Sequence, residues 1–371
     1  EFWKAKQRVF EPCCGKGGFL IDIIERFIKN GLDYKTVVEE CLYFSDINPT
    51  NIFICKLLLD PYNKYKLNYN EGNTLELDIK QKWNIEGFDA VIGNPPYNNE
   101  LWSHFVDYSL KNIKKNGYLL FIHPANWRKP EHKIGIKMLK NQIYELHIKN
   151  IKETMKLFNC NVRVDWYLLQ NKKTSINTVI NDEHDNVISN KINNMIFIPN
   201  FGLEIIKKII FTDDKKLEVF RNYVVMSNNK KLKLCKDEEY CYPYIVNLNS
   251  MGKKVKYFNL KHEIQNNNKI FMSYSLNIYP FYDNGVLAPT EHVFYCLVKN
   301  KKEGDKLIKF LNSSIIKFML KACKWIGYQT DHKIFKYIPN ILDKVDDIND
   351  CILNEYFGIT QNENIYINQY I

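Results

Sequence analysis

The chain has 371 residues, 45% of them hydrophobic, and a formal net charge of +10. That length predicts two domains, and without a run near the ~18 apolar residues of a membrane span, or a charged-then-apolar leader, the expectation is a soluble cytoplasmic protein with no membrane partner. The ten cysteines include no Cys-x-x-Cys pair and no zinc-type Cys/His spacing, which sets aside a structural metal and favours a reducing compartment.

The chain starts at Glu1 rather than Met and enters a strand almost at once, as a piece of a longer protein would. Arg8 to Glu11 reads as a short strand. It is followed by Pro12-Cys13-Cys14-Gly15-Lys16-Gly17-Gly18 and a helix whose apolar positions are Phe19, Leu20, Ile23, Ile24, Phe27 and Ile28. Glycines at 15 and 17 let the backbone approach a ligand, and the Glu11 carboxylate at the strand end can meet a cationic group. A second strand over 41–46 ends on Asp46, followed by Ile47, Asn48 and Pro49 at a helix start; Asp46 reads either as a ligand for ribose hydroxyls or as a cap of that helix. Adjacent Cys13 and Cys14 read as small packing residues beside the turn.

The run Phe88-Asp89-Ala90-Val91-Ile92-Gly93 stops at Asn94-Pro95-Pro96-Tyr97. Neither proline donates a backbone hydrogen, so the strand ends there with carbonyl oxygens left for something other than a sheet ladder. The Asn94 side-chain oxygen and the Pro95 carbonyl make two acceptors on a stiff backbone, suited to both hydrogens of an amino group, and Tyr97 offers a face for a planar ring. A helix through Trp102, Phe105, Val106, Leu110 and Ile113 follows, ending at Asn116-Gly117. A strand over 118–123, a helix over 130–140, a strand over 143–148 and an alternating strand from Val162 to Leu168 come next.

Asn-Pro-Pro-Tyr, preceded by Glu-Pro-x-x-Gly-x-Gly-x-Phe at Glu11 to Phe19, resembles the motifs of the gamma-class (Taq-type) adenine-N6 DNA methyltransferases of type II restriction-modification systems. The resemblance implies a Rossmann-like α/β catalytic domain over 1–170, with a mixed, mostly parallel sheet that binds S-adenosylmethionine. It implies cofactor contacts at Glu11, Pro12, Gly15, Gly17, Asp46, Ile47 and Asn73. Asn73 stands where the family places an acidic residue, with Asp78 as a substitute, and Lys16 departs from the usual small residue. Catalysis falls to Asn94, Pro95, Pro96 and Tyr97 acting on an adenine flipped out of duplex DNA. Phe158, read as lying in a polar loop, implies a second aromatic against the base, the alternative being a plug for the hairpin end.

Residues 171–200 shift to Asn, Ser, Thr and Lys and read as a linker or irregular excursion. Residues 201–371 read as a second, mixed α/β domain with strands near 220–225, 242–246 and 269–274 and one longer helix through Leu307 to Met319. Residues 171–340 hold 27 Lys/Arg against 16 Asp/Glu, a net +11, whereas 341–371 hold 1 against 6. A basic block rich in Tyr and Asn suits a polyanion. Phe310 to Ser314 and Lys333 to Pro339 are similar to the carboxy-terminal half of target-recognition domains. That similarity implies double-stranded DNA as partner, with candidate contacts at Lys324, Tyr328, Gln329, Thr330, His332 and Lys333, and a cognate restriction endonuclease acting on the same site. The alternatives are an RNA-adenine or protein-glutamine N-methyltransferase and a catalytically weakened DNA-binding module.

Overall fold

A computed structural model describes residues 1–222, 225–273, 277–327 and 330–371 of the chain. It divides into two compact units, Glu1–Phe197 and Ile198–Ile371.

The first unit alternates strands and helices. In chain order these are β1 (Val9–Glu11), α1 (Gly18–Lys29), α2 (Tyr34–Thr36), β2 (Leu42–Asp46), α3 (Pro49–Leu59), β3 (Asn68–Glu71), α4 (Ile79–Trp83), β4 (Phe88–Gly93), α5 (Leu101–Asn112), β5 (Ile113–Pro124), α6 (Lys133–Met138), β6 (Asn141–Lys149), α7 (Ile151–Phe158), β7 (Val164–Lys173), β8 (Thr178–Asn181) and β9 (Val187–Asn190). They form one sheet of order β3-β2-β1-β4-β5-β7-β6-β8-β9. Strands β1 to β5 are mutually parallel, and β7 runs antiparallel to both β5 and β6. This is the expected mixed α/β architecture with an antiparallel strand inserted beside β5. The chain steps outward from β1 to β3 and returns to β4 on the other side of β1, so β1 and β4 flank the switch point where open α/β sheets bind ligands at their carboxyl ends.

Packing explains the central elements. All of Val9 to Glu11 and Leu42 to Asp46 are buried, as suits strands covered on both faces. The Phe10 ring stacks on Phe88 of β4, centroids 4.5 Å apart, tying β1 to the strand that carries the Asn-Pro-Pro-Tyr corner. Helix α1 buries Leu20, Ile23, Ile24 and Phe27 on one face. At about 1.5–3 kcal/mol for each large apolar side chain, that face far outweighs a missing N-terminal cap worth about 1 kcal/mol. The cap is indeed missing. The N-cap of α1 is Gly17, with φ +84°, and no side chain bonds its first turn. Asp33, Asn48, Asp78, His132 and Asn150 cap α2, α3, α4, α6 and α7. Helix α5, which follows Tyr97, also lacks a side-chain cap.

In the second unit, α8 (Leu203–Ile210) precedes β10 (Phe220–Arg221), β11 (Tyr242–Asn249), β12 (Gly252–Phe258), β13 (Asn268–Ser273), β14 (Phe281–Asn284), β15 (Ala288–Pro289) and β16 (Val293–Leu297). Helices α9 (Lys301–Leu311), α10 (Ser314–Ala322), α11 (Asp350–Tyr356) and α12 (Gln361–Gln369) complete it. Its strands form a four-stranded sheet, β10-β16-β13-β14, and a three-stranded one, β12-β11-β15.

The helix expected to run through Ile113 to Asn116-Gly117 ends at Asn112, with β5 beginning at Ile113, and three further sequence expectations change. Residues 178–190, inside the stretch read as a linker, form β8 and β9 of the first unit's sheet. The single helix through Leu307 to Met319 is two, α9 and α10. Ser313 N-caps α10 and donates its hydroxyl to the Phe310 carbonyl at 2.7 Å, and Asp350 accepts from the Ser314 N–H at 2.9 Å. Phe158 closes α7 rather than lying in a loop, because Asn159 adopts the left-handed conformation that ends a helix. The expected strand ends at Tyr223, Val224 and Tyr274 lie outside the described residues. No helix among the described residues is long and apolar enough to cross a membrane.

Candidate active site

At the carboxyl end of β1, Glu11 is only 2% exposed, and its Oε2 has no hydrogen-bond partner among the described residues. Burial pushes its carboxyl well above the ordinary carboxylate range, and Cys55 and Asp46 nearby push the same way. A buried carboxyl with an unanswered oxygen is a place for a cation or donor.

The turn after Glu11 is held from two sides. The buried Pro12 carbonyl accepts from the Thr74 hydroxyl at 2.6 Å, and the Thr74 and Ser45 hydroxyls are 2.7 Å apart. The Cys14 N–H donates to the Ser45 carbonyl at 3.0 Å. Asp46 Oδ2 accepts from the Gly15 N–H and its Oδ1 from the Asn48 N–H, both at 2.8 Å. The helix cap is therefore Asn48, which accepts from Thr50, and not Asp46. With one donor on each oxygen, Asp46 keeps lone pairs for further hydroxyl donors. Gly15 has φ +52°, and a Cβ there would meet nothing within 4 Å, so the turn faces open space. A Cβ on Gly17 would stand 3.1 Å from Cys55 Sγ, which fixes glycine there through packing as well as conformation.

Ile47 is 73% exposed beside Asp46, an apolar surface without an internal partner to cover it. Asn73 is exposed and N-caps a 3₁₀ turn, accepting from the Leu75 N–H at 3.1 Å and donating to Glu76 at 2.7 Å. Its oxygen retains a second acceptor site. Asp78 is spent on α4, where one oxygen accepts from the N–H groups of Lys80 and Gln81.

Strand β4 brings the corner against this turn. A Cβ on Gly93 would meet Pro12 Cδ at 3.4 Å and Cys13 Sγ at 3.6 Å, so its absence lets the two motifs touch. Asn94 and Pro96 are exposed, Pro95 is buried and Tyr97 is half-buried. The Tyr97 hydroxyl is buried without a hydrogen-bond partner among the described residues. Burial raises its pKa above the ordinary phenol value, Cys160 adds to the rise, and the Asn94 side chain opposes it. Cys160 lies two residues past Phe158, so the end of α7 approaches the corner. Phe158 is 39% exposed there, beside the exposed Leu157.

Thr74, Ser45 and Asn126 were not anticipated from the sequence. Asn126, buried after β5, donates to Glu100 at 2.8 Å, and its Oδ1 has no partner among the described residues, while Asn99 and Glu100 both sit at positive φ just after Tyr97. Below them Asp165 pairs with Arg128 at 2.7 Å, both fully buried, and accepts from Trp127 at 2.6 Å. His123, stacked on Trp102 and bonded to the Tyr167 hydroxyl at 3.0 Å, is pushed down to about 3 by burial and stays neutral. Of the candidate polyanion contacts in the second unit, Lys324 and Thr330 are buried, and His332 and Lys333 are partly exposed. Tyr328 and Gln329 lie outside the described residues.

Residues 3–156 match the family described as N-6 DNA Methylase. Among curated proteins, the type I restriction enzyme MjaIX methylase subunit of Methanocaldococcus jannaschii is similar, at 29% identity over 97 residues. That match takes in 25% of this chain and 16% of the subunit, so the chain spans less than a fifth of that relative's length. Among solved structures, the chain is similar to DrdV in a DrdV–DNA complex, with a TM-score of 0.51 and 9% identity over 80% of this chain and 46% of that one. It is also similar to the M protein of the type I restriction enzyme EcoKI, with a TM-score of 0.38 and 16% identity over 48% and 45% of the two chains. Residues 3–156 thus share their sequence pattern with N-6 DNA methylases.

Proposed function

We propose that the chain transfers a methyl group from S-adenosylmethionine to N6 of adenine in DNA, the base being flipped out of the duplex. The observation that carries the reading is the junction at Gly93, which sets the Asn94-Pro95-Pro96-Tyr97 corner against the turn that begins at the orphaned Glu11 carboxylate. The residues fit the cofactor. Glu11 would hold its ammonium group, Gly15 and Gly17 would admit its chain, Asp46 would take ribose hydroxyls, and Ile47 and Asn73 would meet the adenine. When bound, S-adenosylmethionine supplies an electrophilic methyl group. Asn94 Oδ1 and the Pro95 carbonyl accept the two hydrogens of the target amine and orient its nitrogen lone pair, a contribution of positioning and electrostatics rather than strong-base catalysis. Pro96 stiffens the corner, and Tyr97 and Phe158 offer faces to the base.

The motif order, cofactor turn before Asn-Pro-Pro-Tyr, supports the gamma-class arrangement within that family. The basic residues of 201–371 support DNA recognition by the second unit, with a cognate restriction endonuclease as the functional counterpart. Incubation with methyl-labelled S-adenosylmethionine and separate duplex DNA, RNA and protein acceptors tests the reading. Label on adenine N6 of DNA is the expected outcome; label confined to RNA or to a glutamine amide would replace the substrate, and no transfer to any acceptor would leave a DNA-binding module.

A further inference from the structure

We infer that the second unit carries a nucleotide-phosphate pocket on the Lys317/Lys321 face of α10. A cavity of about 440 Å³ opens there, within the range of ~300–1,000 Å³ usual for small-ligand sites. Leu311 and Leu320 give it an apolar wall, Tyr279 an aromatic one, and Lys317 and Lys321 its charge. Among the described residues the lining also includes Asn277, Asn312 and the last residue, Ile371, but no Asp or Glu side chain.

Lys317 and Lys321 are exposed one turn apart on the same face of α10, and neither side chain has a hydrogen bond or ion pair with a described residue. Two like charges at this spacing repel. Several other helix lysines of the unit are answered: Lys208 by Glu363 at 2.6 Å, Lys301 by Asp305 at 2.7 Å and Lys309 by Asp347 at 3.0 Å. Lys324, also in the lining, is only 6% exposed. Tyr279 holds φ +41°, a conformation bulky residues avoid and one that concentrates at ligand clamps.

Lysine ammonium groups suit phosphate oxygens as point charges. The cavity is too large and too apolar for a bare phosphate, whereas the Leu311/Leu320 wall and the Tyr279 ring suit an attached sugar and base. The ligand class is therefore a nucleotide unit, either free or within a strand. For a strand source the inference rests on the proposed DNA recognition by the second unit, and for a free nucleotide it stands apart from it; neither depends on methyl transfer.

The test titrates the full chain with 5′-AMP, with inorganic phosphate and with a short DNA duplex over a range of salt. It compares a Lys317→Gln/Lys321→Gln double variant with a Lys301→Gln/Lys309→Gln control of equal charge, both checked for folding by circular dichroism. If the source is a strand, the first variant lowers duplex affinity at least tenfold at low salt and reduces the log–log salt slope by about two, while the control changes either much less. If the source is a free nucleotide, the first variant loses 5′-AMP binding at least tenfold and leaves duplex binding as in the control. Equal effects of the two variants on every probe, no binding of 5′-AMP or duplex by the wild-type chain, or inorganic phosphate binding as tightly as 5′-AMP with no duplex effect, would overturn the inference.

Discussion

Replacing Glu11 with glutamine should separate cofactor binding from stability, moving them in opposite directions. The carboxyl is buried, its Oε2 is unpartnered, and burial holds its pKa well above the ordinary range. The folded state therefore keeps the proton to higher pH than the unfolded chain. Stability from this group is fully present below the unfolded carboxyl pKa and is lost as pH rises through the raised folded value. E11Q removes that loss, so the cofactor-free variant should melt higher than wild type at neutral and alkaline pH, with the difference shrinking toward acid. Binding should move the other way. A hydrogen bond to a charged group contributes ~1.5–3 kcal/mol, so E11Q should weaken S-adenosylmethionine roughly ten- to hundredfold by calorimetric titration. In the wild type, affinity should rise with pH through the Glu11 titration, with proton release on binding, because the cofactor's ammonium favours the ionised carboxylate. A folded E11Q variant with wild-type cofactor affinity and an unchanged pH profile would refute the assignment of Glu11 as the cation ligand.

Asp46→Ala removes the acceptor for both Gly15 and Asn48, so cofactor affinity should fall by about 1–3 kcal/mol, read by the same titration; unchanged affinity would leave Asp46 as a loop brace only. Thr74→Val keeps the side-chain shape but strands the buried Pro12 carbonyl, and should lower stability by about 1–3 kcal/mol in denaturant melts. Ser45 keeps its bond from Asn70 at 3.0 Å, so the loss should not approach that of two orphaned groups. Phe158→Ala should leave cofactor affinity intact and reduce the fluorescence rise of duplex carrying 2-aminopurine at the target position. An unaltered rise would return Phe158 to a packing role at the end of α7.

The parts of the site that are consecutive in sequence were legible. The glycine turn and the Asn-Pro-Pro-Tyr corner declare their backbone demands locally, and the apolar runs around them place both at strand ends. The braces were not legible, since Thr74 reaches Pro12 across 62 residues and Asn126 reaches Glu100 across 26, with no local pattern to mark either pair. Strands β8 and β9 escaped because they are four residues each, with every second residue or more in contact with water, so composition resembled a linker. The α9–α10 break escaped for the opposite reason. Apolar spacing runs on through Leu311 and Ile315, and only the Ser313 cap and the distant Asp350 reveal the interruption. Phe158 lies among polar neighbours that look like a loop, although Asn150 and Glu153 form a capping box that starts a helix about two turns earlier.

The most direct measurement is mass spectrometry of nucleosides from duplex DNA incubated with S-adenosylmethionine and either the wild-type chain or Asn94→Ala, with cofactor affinity measured on the same preparations. The account predicts N6-methyladenine from wild type and none above background from the variant, at nearly equal cofactor affinity. Near-normal N6-methyladenine from Asn94→Ala, or a methyl group found by the wild type's action on any other atom, would contradict it.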